Sequence, residues 1–351
     1  MITLLAIDWF FIIEKLILIA LVVTLSMIVA MYATYGERKV AAFMQDRIGP
    51  NRAGPFGLLQ PLADGGKLFF KEEIIPLASS KFLFVLGPVL AMVTALLTSA
   101  VIPWGSPAVV AGRTVPLQVA DINIGILYVF GVVSLGVYGI MIGGWASNNK
   151  FSLLAGIRGA SQMISYELAM GLSLIAVLML TGSLQMSTIV QNQLDNGWNV
   201  IYQPLGFFIF FICALAECNR TPFDLPEAEN ELNFGYHQEY SSMKLGFYLF
   251  AEYINMFISG VIMATLYFGG YDIPFVNEAN WGISQNLLAF ISFVVLLIKA
   301  FFFVFVFMWI RWTIPRFRFD QLMHLGWKRL VPLALLNMII TALVVLWLNG
   351  K

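Results

Sequence analysis

The chain has 351 residues, of which 60% are hydrophobic and only 11% are charged, and its formal net charge is zero. Soluble domains average about 45–50% apolar and about 25% charged residues, so the composition argues against an ordinary soluble protein. The neutral charge gives no indication of a nucleic-acid partner. The apolar residues fall in long continuous runs, which predict an all-α polytopic membrane protein rather than a barrel of short alternating strands.

Eight apolar runs, taken in chain order, predict eight membrane spans in a single domain that covers residues 1–351. Several runs contain polar residues, because they carry the glutamates discussed below. The predicted spans are 12–35, 80–103, 119–146, 160–182, 204–219, 244–270, 286–311 and 331–349.

The basic residues are distributed unevenly between the two sides of these spans. Sixteen of the 20 Lys and Arg residues lie in loops on one side, and such loops face the cytoplasm or its equivalent. Both termini are therefore expected to face outward, and an even number of spans agrees with this because it places both termini on one side. The loops expected inside are 36–79, 147–159, 220–243 and 312–330.

The first inward loop contains the amphipathic segment "GLLQPLADGGKLFFKEEIIP", residues 57–76. Its leucine and phenylalanine residues alternate with Asp64, Lys67 and Lys71, a mixture too polar to span a bilayer. The pattern favours a helix that lies at the membrane interface. An ordinary solvated loop is the alternative, since Gly65 and Gly66 weaken a helix.

Four ionisable residues lie within predicted spans: Glu167, Glu217, Glu252 and Lys299. Each would cost about 2.5–3.5 kcal/mol at the bilayer centre on insertion scales. Such residues usually face a bundle interior or a wet cavity and mark an ion path, and we favour a proton path here. The alternative is a set of static pairs, for instance Lys299 with a glutamate.

The fifth predicted span is followed by an acidic segment, "FDLPEAENELNFGYHQEY", residues 223–240. Glu227 and Glu231 are four residues apart, so a helix would place them on one face with Glu229 pointing away. The flanking apolar residues indicate that the segment enters the protein, whereas a solvated acidic loop is the alternative. Its five carboxylates are Asp224, Glu227, Glu229, Glu231 and Glu239.

Four long motifs carry a family resemblance that extends over nearly the whole chain. They closely resemble the NuoH family, the quinone-channel membrane subunits of respiratory complex I. The motifs are "GERKVAAFMQDRIGPNRAGPFGLLQPLADGGKLFFKEE" (36–73), "IRGASQMISYELAMG" (157–171), "AECNRTPFDLPEAENEL" with "GYHQEYSSMKLGFYLFAEY" (216–253), and "KAFFFVFVFMWIRWTIPRFRFDQLM" (299–323).

The resemblance implies a membrane subunit of a proton-pumping NADH:quinone oxidoreductase. Such a subunit forms most of the quinone tunnel and couples quinone reduction, of ubiquinone or menaquinone, to proton translocation through a glutamate relay. It implies a bacterial inner membrane, with both termini periplasmic and the large loops cytoplasmic. Implied partners are a 49-kDa-type quinone subunit, terminal iron–sulfur subunits, small membrane subunits and lipid; the flavin and iron–sulfur clusters reside in partner subunits.

Two sets of candidate site residues follow from the resemblance and the charge pattern together. Basic groups at the polar end of a quinone tunnel can stabilise charge on the reduced quinone. Their alternative role is docking of acidic subunits or lipid head groups, which we prefer for Arg52 and Lys71. Quinone-binding candidates are Glu37, Arg38, Arg47, Asp64, Lys67, Arg316 and Arg318, and proton-relay candidates are Glu167, Glu217, Asp224, Glu227, Glu229, Glu231 and Glu252.

Two other functions fit parts of the sequence: the anchor subunit of a membrane-bound hydrogenase or of another donor:quinone oxidoreductase, and a stand-alone ion transporter. The "DRIGPNRAG" and "FDLPEAE" motifs favour the quinone enzyme, and a gene neighbourhood that encodes NADH-binding subunits would separate it from the related anchor subunits. The large inward loops argue against a stand-alone transporter. Cys213 and Cys218 match no cluster or zinc spacing, and no glycine-rich nucleotide loop is visible. We therefore expect no metal or redox cofactor on this chain, with quinone as the substrate.

Overall fold

The chain folds almost entirely into helices, as the long apolar runs require. The computed structural model describes residues 9–110, 112–273 and 283–349, apart from the side chains of Glu229, Asn230 and Asn349. A two-stranded antiparallel sheet, β1 (Ala108–Val110) with β2 (Arg113–Val115), pairs Val109 with Thr114. The helices are α1 (Trp9–Met44), α2 (Gln60–Phe70), α3 (Lys81–Leu97), α4 (Gly125–Ala146), α5 (Lys150–Thr181), α6 (Met186–Asn196), α7 (Asn199–Tyr202), α8 (Pro204–Glu217), α9 (Glu229–Leu232), α10 (Ser242–Tyr267), α11 (Gln285–Thr313), α12 (Phe319–Leu325) and α13 (Val331–Asn349).

Seven helical segments within the described residues are long and apolar enough to cross a membrane, which confirms an all-α integral membrane protein. The fifth predicted span corresponds to α8, which has only 14 residues. At about 1.5 Å per residue, α8 is roughly 21 Å long and shorter than a hydrocarbon core of about 30 Å. The chain from Cys218 to Leu225 then continues without helix while remaining almost entirely buried. Non-helical backbone at this depth is tolerated where protein surrounds it.

Two helices extend into loops that the sequence predicted. The first inward loop was expected to begin at residue 36, but α1 continues to Met44 and carries Glu37 and Arg38. Similarly, α5 begins at Lys150 and includes Arg158, which the prediction assigned to a loop. The reason is that Lys, Arg and Glu mark where a helix leaves lipid but are themselves good helix formers.

The amphipathic segment forms the helix α2, which continues through Gly65 and Gly66 despite the low helix propensity of glycine. Leu62, Phe69 and Phe70 are exposed along it. The helix contacts α1 and α10. Its apolar side chains on an outer surface suit the interfacial position that the sequence predicted.

Helix α10 is the centre of the bundle and contacts α1, α3 and α11. In its most apolar stretch 72% of the residues are buried, compared with 33% in α1 and α11. Helix α5 contacts α4, α8 and α13 and forms a second group of packed helices. The polar residues of α10 therefore lie inside the protein and away from lipid.

Lys299 lies at the C-terminal end of α10, in the half of the bundle opposite the predicted inward loops, which we call the outer half. Its Nζ donates to the carbonyl oxygens of Phe268, Gly270 and Asp272 at 2.7, 2.9 and 2.6 Å. It also lies 4.9 Å from the ring centroid of Trp198. A cation at a helix C-terminus satisfies carbonyls that have no partner within the helix. The structure therefore favours a structural role for Lys299.

Candidate proton-transfer and quinone site

A buried guanidinium, that of Arg220, is only 4% exposed and lies at the centre of the half of the bundle that carries the predicted inward loops, which we call the inner half. Its Nη1 is 3.6 Å from Oε2 of Glu37 on α1, and its Nη2 is 3.8 Å from Oε2 of Glu252 on α10. The Tyr253 ring lies beneath it, with 4.1 Å between the guanidinium carbon and the ring centroid. A buried cation of this kind needs such partners, because its desolvation is costly. We call Arg220, Glu37, Glu252 and Tyr253 the Arg220 network.

Two further contacts fix Glu37 within the Arg220 network. The hydroxyl of Tyr253 donates to Oε2 of Glu37 at 2.7 Å. Arg311, in the last turn of α11, also forms an ion pair with the Glu37 carboxylate. Glu37 was predicted to bind quinone, but the structure places it in a buried network that joins α1, α10 and α11.

The polypeptide around Arg220 is held in place by Gln162 of α5, which is completely buried. Its Nε2 donates to the carbonyl oxygens of Ala216 and Phe223, both at 2.7 Å. These two bonds enclose the turn in which Asn219 has a positive φ of 50°. Gln162 therefore fixes the position of Arg220 relative to α8.

The acidic segment begins with Asp224, which is 3% exposed. Nη2 of Arg316 donates to its Oδ2 at 2.7 Å. Burial, and then the neighbouring Glu227 carboxylate, raise the pKa of Asp224 to about 8, while Arg316 and Arg220 oppose the rise. Asp224 is thus able to exchange a proton near neutral pH.

The other carboxylates of the acidic segment have different surroundings. Glu227 is half-buried, and its carboxyl group lies within hydrogen-bonding reach of Glu252. Glu231 is 53% exposed in its side chain and pairs with Arg158 at 2.7 Å. The expectation that Glu227 and Glu231 share a helical face was wrong, because α9 begins only at Glu229. The side chain of Glu229 lies outside the described residues, and Glu239 accepts a hydrogen bond from Asn149 at 2.7 Å.

Two small cavities continue from Glu252 into the membrane part of the bundle. The first has a volume of about 50 Å³, and Glu252, Glu217 and the hydroxyls of Tyr236 and Tyr248 line it. We call it the inner cavity. Tyr236 Oη donates to Glu252 Oε1 at 3.2 Å. A polar space of this size is large enough for water, which needs roughly 10–15 Å³ and two or more polar partners.

Glu217 also lines the second cavity, of about 40 Å³, and is buried between the two. Its Oε2 has no hydrogen-bond partner among the described residues. The second cavity shares Phe130 and Leu174 with an open cleft of about 590 Å³ that contains Glu167. Glu167 itself accepts a hydrogen bond from Ser134 of α4. Carboxyl groups thus recur along a route from Asp224 to the lateral cleft.

The remaining quinone-binding candidates lie nearer the inner surface. Arg38 and Asp64 pair at 2.7 Å between α1 and α2, and both are partly exposed. Arg47 is exposed and donates to Gln45 at 2.8 Å. Lys67 and Arg318 are exposed. The structure brings Arg38 to Asp64 and Arg316 to Asp224, but it leaves Arg47, Lys67 and Arg318 at the surface.

Several residues of the site were not among the sequence candidates. In the sequence, Arg220 served only as one of the basic loop residues that predict the orientation, although it is the single basic residue between Glu217 and Asp224. Its position between these acids was the available signal. Gln162, Tyr253 and Arg311 gave no comparable signal, since their partners are far away in sequence. Among the described residues no group of three or more His, Cys, Asp and Glu is arranged for a metal ion.

Comparisons with known proteins agree with this architecture. A family model described as NADH dehydrogenase matches residues 16–342. An H-type subunit of the NADH-quinone oxidoreductase of Cytophaga hutchinsonii is 63% identical over 96% of this chain and 98% of its own length. The H-type subunit of Flavobacterium johnsoniae (96% of each chain) and the second one of Geobacter sulfurreducens (94% of this chain, 95% of its own) are 60% and 50% identical. The chain therefore belongs to the NADH dehydrogenase family of membrane proteins.

Proposed function

We propose that the chain is the membrane subunit of a proton-translocating NADH:quinone oxidoreductase. In this role it forms most of a quinone tunnel, and it couples quinone reduction to proton translocation through a relay of carboxyl groups. The names of its relatives support the enzyme class. The buried charges of the inner half support the coupling role, because they lie where a quinone head group would alter the local charge.

The observation that carries the relay is the succession of carboxyl groups and cavities. Glu227 is within hydrogen-bonding reach of Glu252, and the inner cavity joins Glu252 to Glu217. The second cavity extends from Glu217 toward the cleft of Glu167. Interacting carboxyl groups titrate as a coupled set, so a charge change at one end alters protonation along the route.

The quinone is proposed to approach from the side of α1 and α2 with its head group toward Arg316 and Asp224. The apolar side chains of α2 suit a long quinone tail, and a polar inner end suits its head group. Arg38, Asp64, Arg47, Lys67 and Arg318 would form the rim of this tunnel. Reduction would change the charge beside Asp224, whose pKa of about 8 makes it responsive at neutral pH.

Other parts of the proposal concern the surroundings of the chain. We infer eight spans in one domain, a bacterial inner membrane, periplasmic termini and cytoplasmic inward loops. The partners are the other subunits of the enzyme, including those that hold the quinone-proximal iron–sulfur cluster and the flavin. Asp8 and Lys351 are the positions near the termini where an introduced cysteine would report the orientation, but both lie outside the described residues.

The relay is tested by replacing Glu217 and Glu252 singly with Gln in the assembled enzyme, reconstituted in vesicles. We expect both variants to oxidise NADH with a soluble artificial acceptor at the wild-type rate but to translocate protons at least about tenfold more slowly. A positioned proton-transfer group contributes about 10²–10⁴-fold. Normal proton translocation in both variants would reject the relay.

The orientation is tested by cysteine substitution at two exposed described positions, Glu72 in the first inward loop and Arg113 in β2. Both native cysteines are buried, which keeps background labelling low. A membrane-impermeant maleimide should label E72C only from the cytoplasmic side and R113C only from the periplasmic side. The reverse pattern would overturn the proposed orientation.

A further inference from the structure

A row of buried hydroxyl groups leads from the inner end of α4 to the inner cavity without including Asp224 or Glu227. Ser147, directly after α4, is 3% exposed. Its Oγ and the Oη of Tyr240 both donate to the carbonyl oxygen of Gly143, at 2.7 and 3.3 Å. One carbonyl therefore brings the two hydroxyls into proximity, since both oxygen atoms contact the same acceptor.

The third hydroxyl in the row belongs to Tyr248 of α10. The rings of Tyr240 and Tyr248 pack edge to face, with centroids 5.1 Å apart, and both hydroxyl oxygens lie beside Gly143. Tyr248 Oη also donates to the carbonyl of Gly139 at 3.1 Å. Each tyrosine thus has a backbone carbonyl and a neighbouring hydroxyl as alternative acceptors.

The two ends of the row reach different environments. Ser147 is adjacent to the exposed Asn148 in the short connection between α4 and α5. Tyr248 lines the inner cavity together with Glu217 and Glu252. The row therefore spans the distance between the inner surface and the carboxyl groups of the proposed relay.

Glycine at position 143 makes this arrangement possible. A Cβ atom added there would lie 1.9 Å from Tyr248 Oη, so the Tyr248 hydroxyl would have to leave its position. Burial raises the pKa of Tyr240 to about 12, so its hydroxyl remains neutral at pH 7. A neutral phenol is both a donor and an acceptor, and can receive one proton while it releases its own.

We propose that Ser147, Tyr240 and Tyr248 form a second proton inlet, which reloads the inner cavity from the inner surface. In one passage a proton reaches the Ser147 hydroxyl, each hydroxyl in turn releases its own proton to the next, and Tyr248 delivers one to cavity water or Glu252. No bond besides O–H changes, and nothing is oxidised or reduced. This inference rests on the proposed relay, since the inlet needs an acceptor that translocates the proton onward.

The inlet is tested with Tyr240→Phe and Tyr248→Phe in assembled enzyme reconstituted in vesicles, because each change removes one hydroxyl and keeps the ring. We expect each variant to translocate protons at least about tenfold more slowly, within the range of a positioned proton-transfer group, with an unchanged KM for quinone. The double variant should be no slower than the slower single variant, because hydroxyls in series are not additive. Tyr267→Phe, also fully buried on α10, is the matched control and should behave as wild type.

The outcomes separate the inlet from the relay. Normal proton translocation in Y240F and Y248F, with slow translocation in Glu217→Gln and Glu252→Gln, overturns the inlet alone. Normal translocation in the glutamate variants overturns the relay itself. An equal loss in Y267F, or additive losses in the double variant, shows that the tyrosines act through packing and also overturns the inlet. If Y248F fails to assemble, Y240F and Ser147→Ala carry the same test.

Discussion

Two cations within the bundle, the buried Arg220 in the inner half and the half-buried Lys299 in the outer half, are stabilised in different ways. Arg220 lies between the carboxylates of Glu37 and Glu252 and above the ring of Tyr253. Lys299 donates to three backbone carbonyls at the end of α10. Carboxylates change charge with protonation, whereas carbonyls do not. The charged partners of Arg220 can therefore respond to a proton, whereas the hydrogen bonds that hold Lys299 go to groups that do not titrate, and the Asp272 carboxyl group is its electrostatic neighbour.

The sequence left two interpretations open for ionisable residues within the membrane, a proton path and a set of static pairs, and this difference is relevant to both. The carboxyl groups of the proposed proton path and the structural contact of Lys299 lie in separate halves of one bundle. A buried charge alone therefore does not indicate which role it has. The chemical nature of its partners decides, and the following substitutions are chosen to change those partners.

Removing the charge of Arg220 should have the largest effect. Arg220→Met leaves Glu37 and Glu252 buried without this cation, and breaking a buried pair costs about 3–5 kcal/mol. We expect less assembled enzyme, a lower temperature of half-inactivation, and loss of quinone reduction in the enzyme that remains. In solubilised membranes, NADH oxidation with a soluble acceptor measures the amount of assembled enzyme, and NADH oxidation with quinone measures quinone reduction. The same assays after heating give the temperature of half-inactivation.

The double variant Arg220→Met with Glu252→Gln is the control for Arg220, because it also removes one of the stranded carboxylates. It should recover part of the lost stability without recovering proton translocation. Wild-type stability in the single variant would contradict the view that Arg220 neutralises this network.

Replacing Lys299 should lower stability and leave coupling intact. Lys299→Met leaves carbonyls without this donor, and a buried unsatisfied group costs about 1–3 kcal/mol. We expect a lower temperature of half-inactivation, but the same number of protons translocated per NADH oxidised. A changed stoichiometry would place Lys299 on the proton path and remove the contrast with Arg220. Lys299→Gln, which retains two donors, should be intermediate in stability.

The comparison also shows what the sequence could predict. The polytopic helical fold follows from apolar runs, because spanning segments must satisfy their backbone internally. The charge pattern predicted that Glu217 and Glu252 face the interior, and both are buried, whereas Glu167 is half-buried at the lateral cleft; their role in proton transfer stays a prediction. It could not show that Glu227 turns inward while Glu231 remains outside, since α9 begins only at Glu229. The contacts of Arg220 with α1 and α10 depend on tertiary packing, for which local sequence contains no signal.

The raised pKa of Asp224 leads to a prediction about pH. Because the pKa rises from 3.8 to about 8 on folding, the neutral carboxyl favours the folded state below pH 4. That contribution is lost as the pH rises through 8. We expect the temperature of half-inactivation to fall more steeply between pH 5 and pH 9 in the wild type than in Asp224→Asn, which remains neutral. Parallel pH profiles of the two proteins would contradict the assignment of Asp224 as a proton-exchanging group.

The smallest effect is expected at Glu231, and its value lies in the comparison with Glu227. Both belong to one acidic segment, but Glu231 forms an exposed pair with Arg158, whereas Glu227 faces Glu252. An exposed ion pair contributes about 0–1 kcal/mol, so Glu231→Gln should change stability very little and leave proton translocation normal. Glu227→Gln removes the same charge and should slow translocation. Glu229→Gln, measured in the same assay, shows whether the third acid resembles Glu227, with slower translocation, or Glu231, with normal translocation. If Glu231→Gln slows proton translocation as much as Glu227→Gln, burial does not define the relay, and the acidic segment acts through its total charge.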